Sequence, residues 1–151
     1  MTSHDLKHAT LIFERICPAP VARVFAALAD PEARANWGAP SEATALIYDK
    51  VDFREGGRDE FRCGDRSDPQ YRGVTSYHDI VPDERIISSE IVEAKERKLL
   101  ISMSTITLEP QGGGTKIIVT LQLTSLAGEG MLEGARFGHN ASLDNLVKSM
   151  Q

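Results

Sequence analysis

The sequence lacks the features of a disulfide-linked, membrane-spanning or exported chain. It has two cysteines, Cys17 and Cys63, far from any CxxC pairing, which favours reduced thiols at structural positions. No apolar run approaches the roughly 18 residues that a membrane span needs, and the polar residues 1–8 contain no apolar segment of the kind found in signal peptides. We therefore expect a cytoplasmic protein that folds around its own core.

Acidic residues outnumber basic ones. Lysine and arginine number 17 against 22 acidic residues, and the net charge of −5 without a basic block argues against a nucleic-acid partner. Hydrophobic residues still make up 41% of the chain, enough to bury a core without a metal or a disulfide. The length of 151 residues predicts one domain over residues 1–151, with residues 1–8 flexible.

Motifs of catalysis and of metal binding are missing as well. There is no Gly-x-Ser-x-Gly nucleophile elbow. Zinc needs three or four His, Cys or carboxylate ligands with close local pairs, whereas Cys63, His78 and His139 stand singly. The glycines at 56–57 and 112–114 open no helix, so they are hairpin glycines and not a phosphate loop. The sequence therefore predicts no catalytic residue, no metal site and no cofactor.

Hydrophobic periodicity predicts an α+β fold. Helical spacing of apolar residues indicates a short helical pair over 21–37 and one long C-terminal helix over 131–150. Period-two alternation is clearest over 115–124, where one face is apolar and the other polar. The strand-like segments are 9–16, 45–53, 58–63, 71–80, 85–93, 99–109 and 115–124. They predict a curved antiparallel sheet of about seven strands, wrapped on the long helix, with the helical pair after the first strand.

A stripe of glycines marks the long helix. Gly130, Gly134 and Gly138 recur every four residues. An interior glycine costs about 1 kcal/mol relative to alanine, so the stripe calls for a structural reason. Either the helix backbone approaches a strand closely, which we favour, or the stripe leaves space beside a ligand.

Several motifs, taken in order, resemble those of one protein family. They are residues 18–28 (PAPVARVFAAL), 37–40 (WGAP), 52–58 (DFREGGR), 72–74 (RGV), 80–86 (IVPDERI), 113–116 (GGTK) and 138–146 (GHNASLDNL). The first two resemble the START/birch-pollen-allergen-like (SRPBCC) superfamily. The others resemble its branch similar to the C-terminal domain of the activator of the heat-shock protein 90 ATPase. The resemblance covers nearly the whole chain from residue 9 onward.

This resemblance implies a fold and a function. The fold would be the helix-grip fold, and the superfamily includes lipid binders, cyclases and chaperone regulators. We therefore expect a cavity between the sheet and the C-terminal helix that holds a small hydrophobic or amphipathic molecule. The family name adds the expectation of a stress-related role. His139 stands after Gly138 where many relatives have tryptophan, which replaces an apolar wall with a titratable group.

Eight side chains are candidates for the cavity wall, and ordinary core packing is the alternative for each. They are Trp37, Phe53, Arg58, Phe61, Tyr77, Met103, Phe137 and His139. The apolar ones would bury the ligand, with Trp37 near an entrance. Arg58, Tyr77 or His139 would orient it.

The two central histidines leave alternatives open. His139 could bond a ligand or act as an acid or base near neutral pH. The favoured alternative is a partly exposed side chain, or one bonded to a backbone carbonyl. His78 shares a strand face with Val74 and Ile80, opposite Tyr77, and the pattern does not decide which face points inward.

Two other functions are compatible with the same fold. A cyclase- or aromatase-like enzyme would need two or more titratable side chains with shifted pKa values facing one cavity. A chaperone ATPase-activating module ranks last, because we expect a lone domain without a second one for a two-point grip. Exposed sheet edges could also support a homodimer.

Overall fold

One antiparallel sheet, one long helix and two short helices make up the protein, in a computed structural model that describes residues 5–151. In chain order the elements are β1 (Lys7–Cys17), α1 (Val21–Ala29), α2 (Pro31–Gly38), β2 (Thr44–Lys50), β3 (Arg58–Asp65), β4 (Tyr71–Val81), β5 (Arg85–Ala94), β6 (Arg97–Gln111), β7 (Gly114–Ser125) and α3 (Glu129–Ser149). The predicted α+β fold, with two short helices after the first strand, is confirmed. None of the helices in this part of the chain has the length and hydropathy that crossing a membrane requires.

The N-terminal prediction is corrected in part. Residues 7 and 8, which we expected to be flexible, begin β1 and pair with residues 125 and 124 of β7. They are held by strand pairing, because the hydrogen-bonded ladder between β1 and β7 continues to the last residue of β7. Residues 1–4 lie outside the described part of the chain.

The sheet runs in the order β1-β7-β6-β5-β4-β3-β2, with every neighbouring pair antiparallel. Strands β2 to β7 follow one another as a meander, and β1 closes against β7. Register shifts interrupt the pairing of β2 with β3, β4 with β5, and β5 with β6. Such bulges bend strands and increase their twist, so the sheet gains a concave face.

The core lies between the concave face and the C-terminal half of α3. Alternate residues of β7 face inward and are almost fully buried, at 1–4% exposure: Ile117, Val119, Leu121 and Leu123. Leu146 of α3, at 0%, belongs to the same core cluster. The alternation predicted for residues 115–124 is therefore confirmed.

Polar contacts hold the C-terminal half of α3 in place. The Ser142 hydroxyl donates to the Gly38 carbonyl at the end of α2, at 2.7 Å. Arg15 of β1 donates to Asp144 at 3.0 Å and to Asn140 at 2.8 Å. All of these contacts lie at or after residue 140 of the helix, so none of them holds the first three turns of α3.

The glycine stripe corrects our expectation of close packing. A Cβ atom built on Gly130 or Gly134 would meet nothing within 4 Å, and one on Gly138 would meet only Pro40, at 3.9 Å. A glycine that does permit close approach is Gly73, where a Cβ would lie 2.0 Å from the ring of Phe61. The stripe on α3 therefore leaves open space beside the helix.

Candidate functional site: a cavity between the sheet and the C-terminal helix

A cavity of about 550 Å³ lies between the concave face of the sheet and the N-terminal half of α3. This volume falls within the range of about 300–1,000 Å³ that small-molecule sites occupy. Strands β2 to β7, the end of α2 and the glycine face of α3 all contribute to its lining. Apolar side chains on the sheet wall include Leu46, Val92, Leu100, Ile106, Ile117 and Val119.

The cavity reaches solvent beside the first turns of α3. Gly130 and Gly134 line the cavity and are exposed at the same time. Neither carries a side chain that would close the gap. The stripe that weakens helix propensity thus forms part of the rim.

Three of the eight predicted wall residues line the cavity: Trp37, Phe61 and His139. The indole nitrogen of Trp37 donates to the Ala27 carbonyl at 3.0 Å, which fixes the ring at the end of α2. The ring of Phe61 is 8% exposed and occupies the space above Gly73. Whether these side chains contact a ligand stays a prediction.

Two predicted residues lie in the core outside the cavity lining. Phe53 follows the end of β2, and its ring packs edge-on against Phe25 and Tyr77, at centroid distances of 6.1 and 4.9 Å. Tyr77 is 5% exposed and belongs to the core cluster. Both are aromatic residues that pack against protein atoms.

The other three lie on the outer surface, which corrects their predicted wall position. Arg58 is exposed, because the inward residues of β3 are the odd-numbered ones such as Phe61. Met103 is 38% exposed, since the cavity-facing neighbour on β6 is Ser104. Phe137 is 73% exposed on a flank of α3. In each case the residue type led to the prediction, but the side chain lies on the outer surface and not in the cavity wall.

His139 combines the two interpretations that the sequence left open. Its Nδ1 donates to the Ala135 carbonyl at 2.9 Å, and its ring lies nearly parallel to that of Phe13, at an angle of 21°. The side chain also lines the cavity. With the Nδ1 proton directed to a carbonyl, Nε2 of the neutral ring is a hydrogen-bond acceptor. His78, in contrast, is exposed on the opposite face of β4 and pairs with Ser89 at 2.7 Å.

Glu90 is the main site residue that sequence reasoning missed. It lies on the cavity side of β5, where the Thr75 hydroxyl of β4 donates to its Oε2 at 3.2 Å. Among residues 5–151, no lysine or arginine forms an ion pair with it. Burial raises the pKa of Glu90, while the nearby His139 and the Thr75 hydrogen bond act in the opposite direction. Its parity with the buried Ser88 was the signal that could have identified it.

Two further protic groups of the cavity wall are neutral near pH 7. Burial raises the pKa of the Tyr48 hydroxyl to about 12. Burial, with a smaller effect from Glu90, raises the pKa of the Cys63 thiol to about 11. Because the thiolate is the reactive form of cysteine, Cys63 is placed as a wall residue and not as a nucleophile.

A buried polar cluster lies beside the cavity and reaches its wall through Arg34. Nη1 of Arg34 donates to Asp59 at 2.6 Å and to the Tyr77 hydroxyl at 2.8 Å, and the Tyr77 hydroxyl donates to the same Asp59 oxygen. The guanidinium lies 4.6 Å from the ring centroid of Tyr48. Arg34 lines the cavity, but its charge is already balanced by Asp59. Within residues 5–151, no three His, Cys, Asp or Glu side chains are placed to hold a metal ion.

A curved antiparallel sheet closed by one long helix, with two short helices after the first strand, is the helix-grip architecture of the SRPBCC superfamily, which generally binds hydrophobic ligands. The chain belongs to the family described as Activator of Hsp90 ATPase homolog 1-like protein, whose family model matches residues 18–151. The family resemblance predicted from the sequence motifs is therefore confirmed.

Solved structures of bacterial proteins are similar over almost the whole chain. A protein from Rhizobium leguminosarum is 36% identical, with 93% of each chain covered and a TM-score of 0.82. A protein from Rhizobium loti is 30% identical, with 96% of this chain and 99% of that chain covered and a TM-score of 0.83. A protein from Chromobacterium violaceum is 26% identical, with coverages of 93% and 96% and a TM-score of 0.79. No curated protein matches the sequence.

Proposed function

We propose that this protein binds a small hydrophobic or amphipathic molecule in the cavity between the sheet and α3. The observation that carries the proposal is the cavity itself, about 550 Å³ of space with a largely apolar wall and an opening beside Gly130 and Gly134. Burial of ligand surface there would contribute about 25 cal/mol per Å² of apolar area. A few polar groups, with Glu90 and His139 foremost, would orient the ligand.

A neutral fluorescent probe tests this proposal directly. N-phenyl-1-naphthylamine should gain fluorescence on entering the cavity, and hydrophobic compounds should displace it competitively. Native mass spectrometry of protein purified from several hosts should show bound mass that organic solvent removes. Failure of the probe to bind, together with no bound mass from any host, would reject the proposal.

A matched pair of variants locates the binding. Gly134→Phe places a ring at the cavity rim, where an added Cβ meets nothing within 4 Å, and should abolish probe binding without disturbing the fold. Glu133→Phe introduces the same ring one residue earlier, at an exposed position outside the lining, and should leave probe binding unchanged. Equal effects of the two variants would place the probe elsewhere on the protein.

Acid–base catalysis is the second candidate function, and one observation favours it. Glu90 and His139 line the same cavity, and burial raises the pKa of Glu90. Such a carboxyl could deliver a proton while the Nε2 atom of His139 accepts one. If this occurs, a bound carbonyl compound should take up deuterium from D2O, followed by mass spectrometry, and Glu90→Gln and His139→Gln should stop this exchange while binding persists. Binding without deuterium uptake across a carbonyl-compound panel would count against it.

The homodimer and the chaperone interaction remain predictions. Strands β1 and β2 are the two edges of the sheet, so we propose that any homodimer would form through an edge. Light scattering of the purified chain would measure its mass. A chaperone pull-down against mock-treated beads would test the role that the family name suggests.

A further inference from the structure

We propose that the ligand carries a neutral acceptor oxygen, such as the carbonyl oxygen of a ketone or an ester, and that Nε and Nη2 of Arg34 bind it. This inference rests on the proposed binding function. It adds the chemical class of the ligand, and it adds Arg34 to the groups that would orient it. The argument depends on the hydrogen bonds that Arg34 leaves unmade, on the shape of its guanidinium and on the balance of charge in the cavity.

Arg34 is the residue of the cavity wall whose buried donors are unused. Its side chain lines the cavity, and the residue is only 7% exposed. Nη1 donates to Asp59 and to the Tyr77 hydroxyl. Nε and Nη2, in contrast, are the buried side-chain atoms that have no hydrogen-bond partner within residues 5–151. A buried donor without an acceptor is unfavourable, so a bound molecule that brings an acceptor would complete the site.

The two unused nitrogens form a ready-made pair of donors. Nε–H and one N–H of Nη2 point in parallel from the same edge of the planar guanidinium. This edge suits neutral carbonyl oxygens, as Arg66 shows: its Nε donates to the Glu42 carbonyl at 2.9 Å, and its Nη2 donates to the Thr44 carbonyl at 3.0 Å. Because a carbonyl oxygen has two lone pairs, a single one could accept from both nitrogens of Arg34.

The charges of the cavity favour a neutral oxygen over a carboxylate. Asp59 lies 2.6 Å from the guanidinium of Arg34 and balances its charge. Glu90 also lines the cavity, and the nearby His139 favours its charged form. A carboxylate ligand would therefore lie near two protein carboxyl groups, and a buried charge is costly unless it has a partner of its own. A neutral carbonyl would take the hydrogen bonds of Arg34 without adding charge.

Tyr48 is the part of the wall that would move to admit the oxygen. Nε and Nη2 are themselves buried, so access to them requires a small displacement of a neighbour. The ring of Tyr48 lies over the guanidinium of Arg34, with its centroid 4.6 Å from Cζ, and its half-buried side chain lines the cavity. A turn of this side chain would open the guanidinium to the cavity, while Asp59 keeps Nη1 in place.

The test compares 2-decanone with 2-methyl-1-decene, in which a methylene group replaces the carbonyl oxygen, and with decanoate. All three compete with N-phenyl-1-naphthylamine at pH 8. Arg34→Lys keeps a positive charge beside Asp59 but removes the pair of parallel donors. We expect this variant to weaken 2-decanone at least about tenfold relative to the alkene, as the loss of hydrogen bonds from a charged group would. Decanoate should bind the original protein more weakly than 2-decanone does.

Two control variants separate Arg34 from its surroundings. Tyr48→Phe keeps the ring and removes the hydroxyl, and should leave the ratio of ketone to alkene affinity within about threefold of its original value if Arg34 is the donor. Arg62→Lys makes the same exchange at an exposed position outside the cavity lining and should leave the ratio unchanged.

Infrared spectroscopy of bound 2-decanone, labelled with carbon-13 at the carbonyl, gives a readout on the original protein that needs no variant to fold. Hydrogen bonding weakens the C=O bond, so the band should lie at a lower wavenumber than in hexane, and Tyr48→Phe should not move it.

A band at the hexane position would overturn the inference. So would tighter binding of decanoate than of 2-decanone, an equal loss of ketone and alkene in Arg34→Lys, or a loss of the ketone preference in Tyr48→Phe. In those cases binding of the probe and the alkene would still support the proposed function. Absence of binding by the probe and all three compounds would overturn both.

Discussion

Arg34 on α2 donates a 2.6 Å hydrogen bond to Asp59 on β3, and the two side chains are only 9% and 0% exposed. The pair ties the short second helix to the sheet beside the cavity, whose wall includes Arg34. Tyr77 shares the same Asp59 oxygen, so three residues from three elements depend on each other. Nε and Nη2 of Arg34 have no partner within residues 5–151, so the cluster is not fully satisfied.

Removal of Arg34 should be strongly destabilising. Arg34→Met leaves Asp59 buried without its cation, and breaking a buried pair in this way costs about 3–5 kcal/mol of the free energy of unfolding. Urea denaturation followed by circular dichroism measures the change. The control is Arg62→Met, which breaks the exposed pair with Asp49 and should leave stability nearly unchanged. Similar losses in the two variants would contradict a special role for the buried pair.

The glycines should respond to alanine in opposite directions. Gly134→Ala gains helix propensity of up to about 1 kcal/mol, since the added Cβ meets nothing within 4 Å. Gly73→Ala places a Cβ 2.0 Å from the ring of Phe61 and should cost about 1–3 kcal/mol through overpacking. Thermal unfolding of both variants compares them. A loss of stability in Gly134→Ala would mean that the space beside α3 is filled.

The stability of the protein should carry a pH dependence from Glu90. Burial raises its pKa above the ordinary 4.5, so the folded chain holds this proton more tightly than the unfolded chain does. Its contribution to stability is therefore present below pH 4.5 and is lost as the pH rises through the raised pKa.

Glu90→Gln should remove this loss of stability at high pH, because glutamine does not titrate. The variant should unfold at a higher urea concentration than the original protein at pH 8, and the difference should shrink toward pH 4.5. Thr75→Val serves as a comparison, because it removes the hydrogen bond to Oε2 and keeps the titrating carboxyl. A difference between Glu90→Gln and the original protein that does not change with pH would rule out titration of this residue as its cause.

Cys63 should react slowly with iodoacetamide near neutral pH. With the pKa of its thiol raised to about 11, its rate should still rise steeply above pH 9.0, the pH at which an ordinary cysteine is half ionised and its rate begins to level off. A ligand in the cavity should slow the reaction, because Cys63 lies on its wall. Mass spectrometry of a Cys17→Ala variant isolates this thiol, and a Cys63→Ala variant reports the background from the buried Cys17. A rate that is half-maximal at pH 9.0, or no protection by a bound probe, would be the contrary result.

The candidate site shows where sequence reasoning stops. Alternation placed Phe61 on one face of β3, and the family motifs placed Trp37 and His139 near the helix interface, and all three line the cavity. Met103 was predicted from its residue type alone, whereas the alternation of β6 directs its neighbour Ser104 to the cavity. Glu90 was not among the candidates, although it shares parity with the buried Ser88 on β5.

The order and type of the helices and strands were decided by the sequence itself, because periodicity is a local property of neighbouring residues. The membership of the family also followed from motifs that are short and local. Only the tertiary structure decided which sheet face is concave, that Arg34 meets Asp59 from 25 positions away, and that the stripe from Gly130 to Gly138 borders a space. Those properties depend on the bend of the whole sheet and on where α3 is tied to it, and no local pattern encodes either.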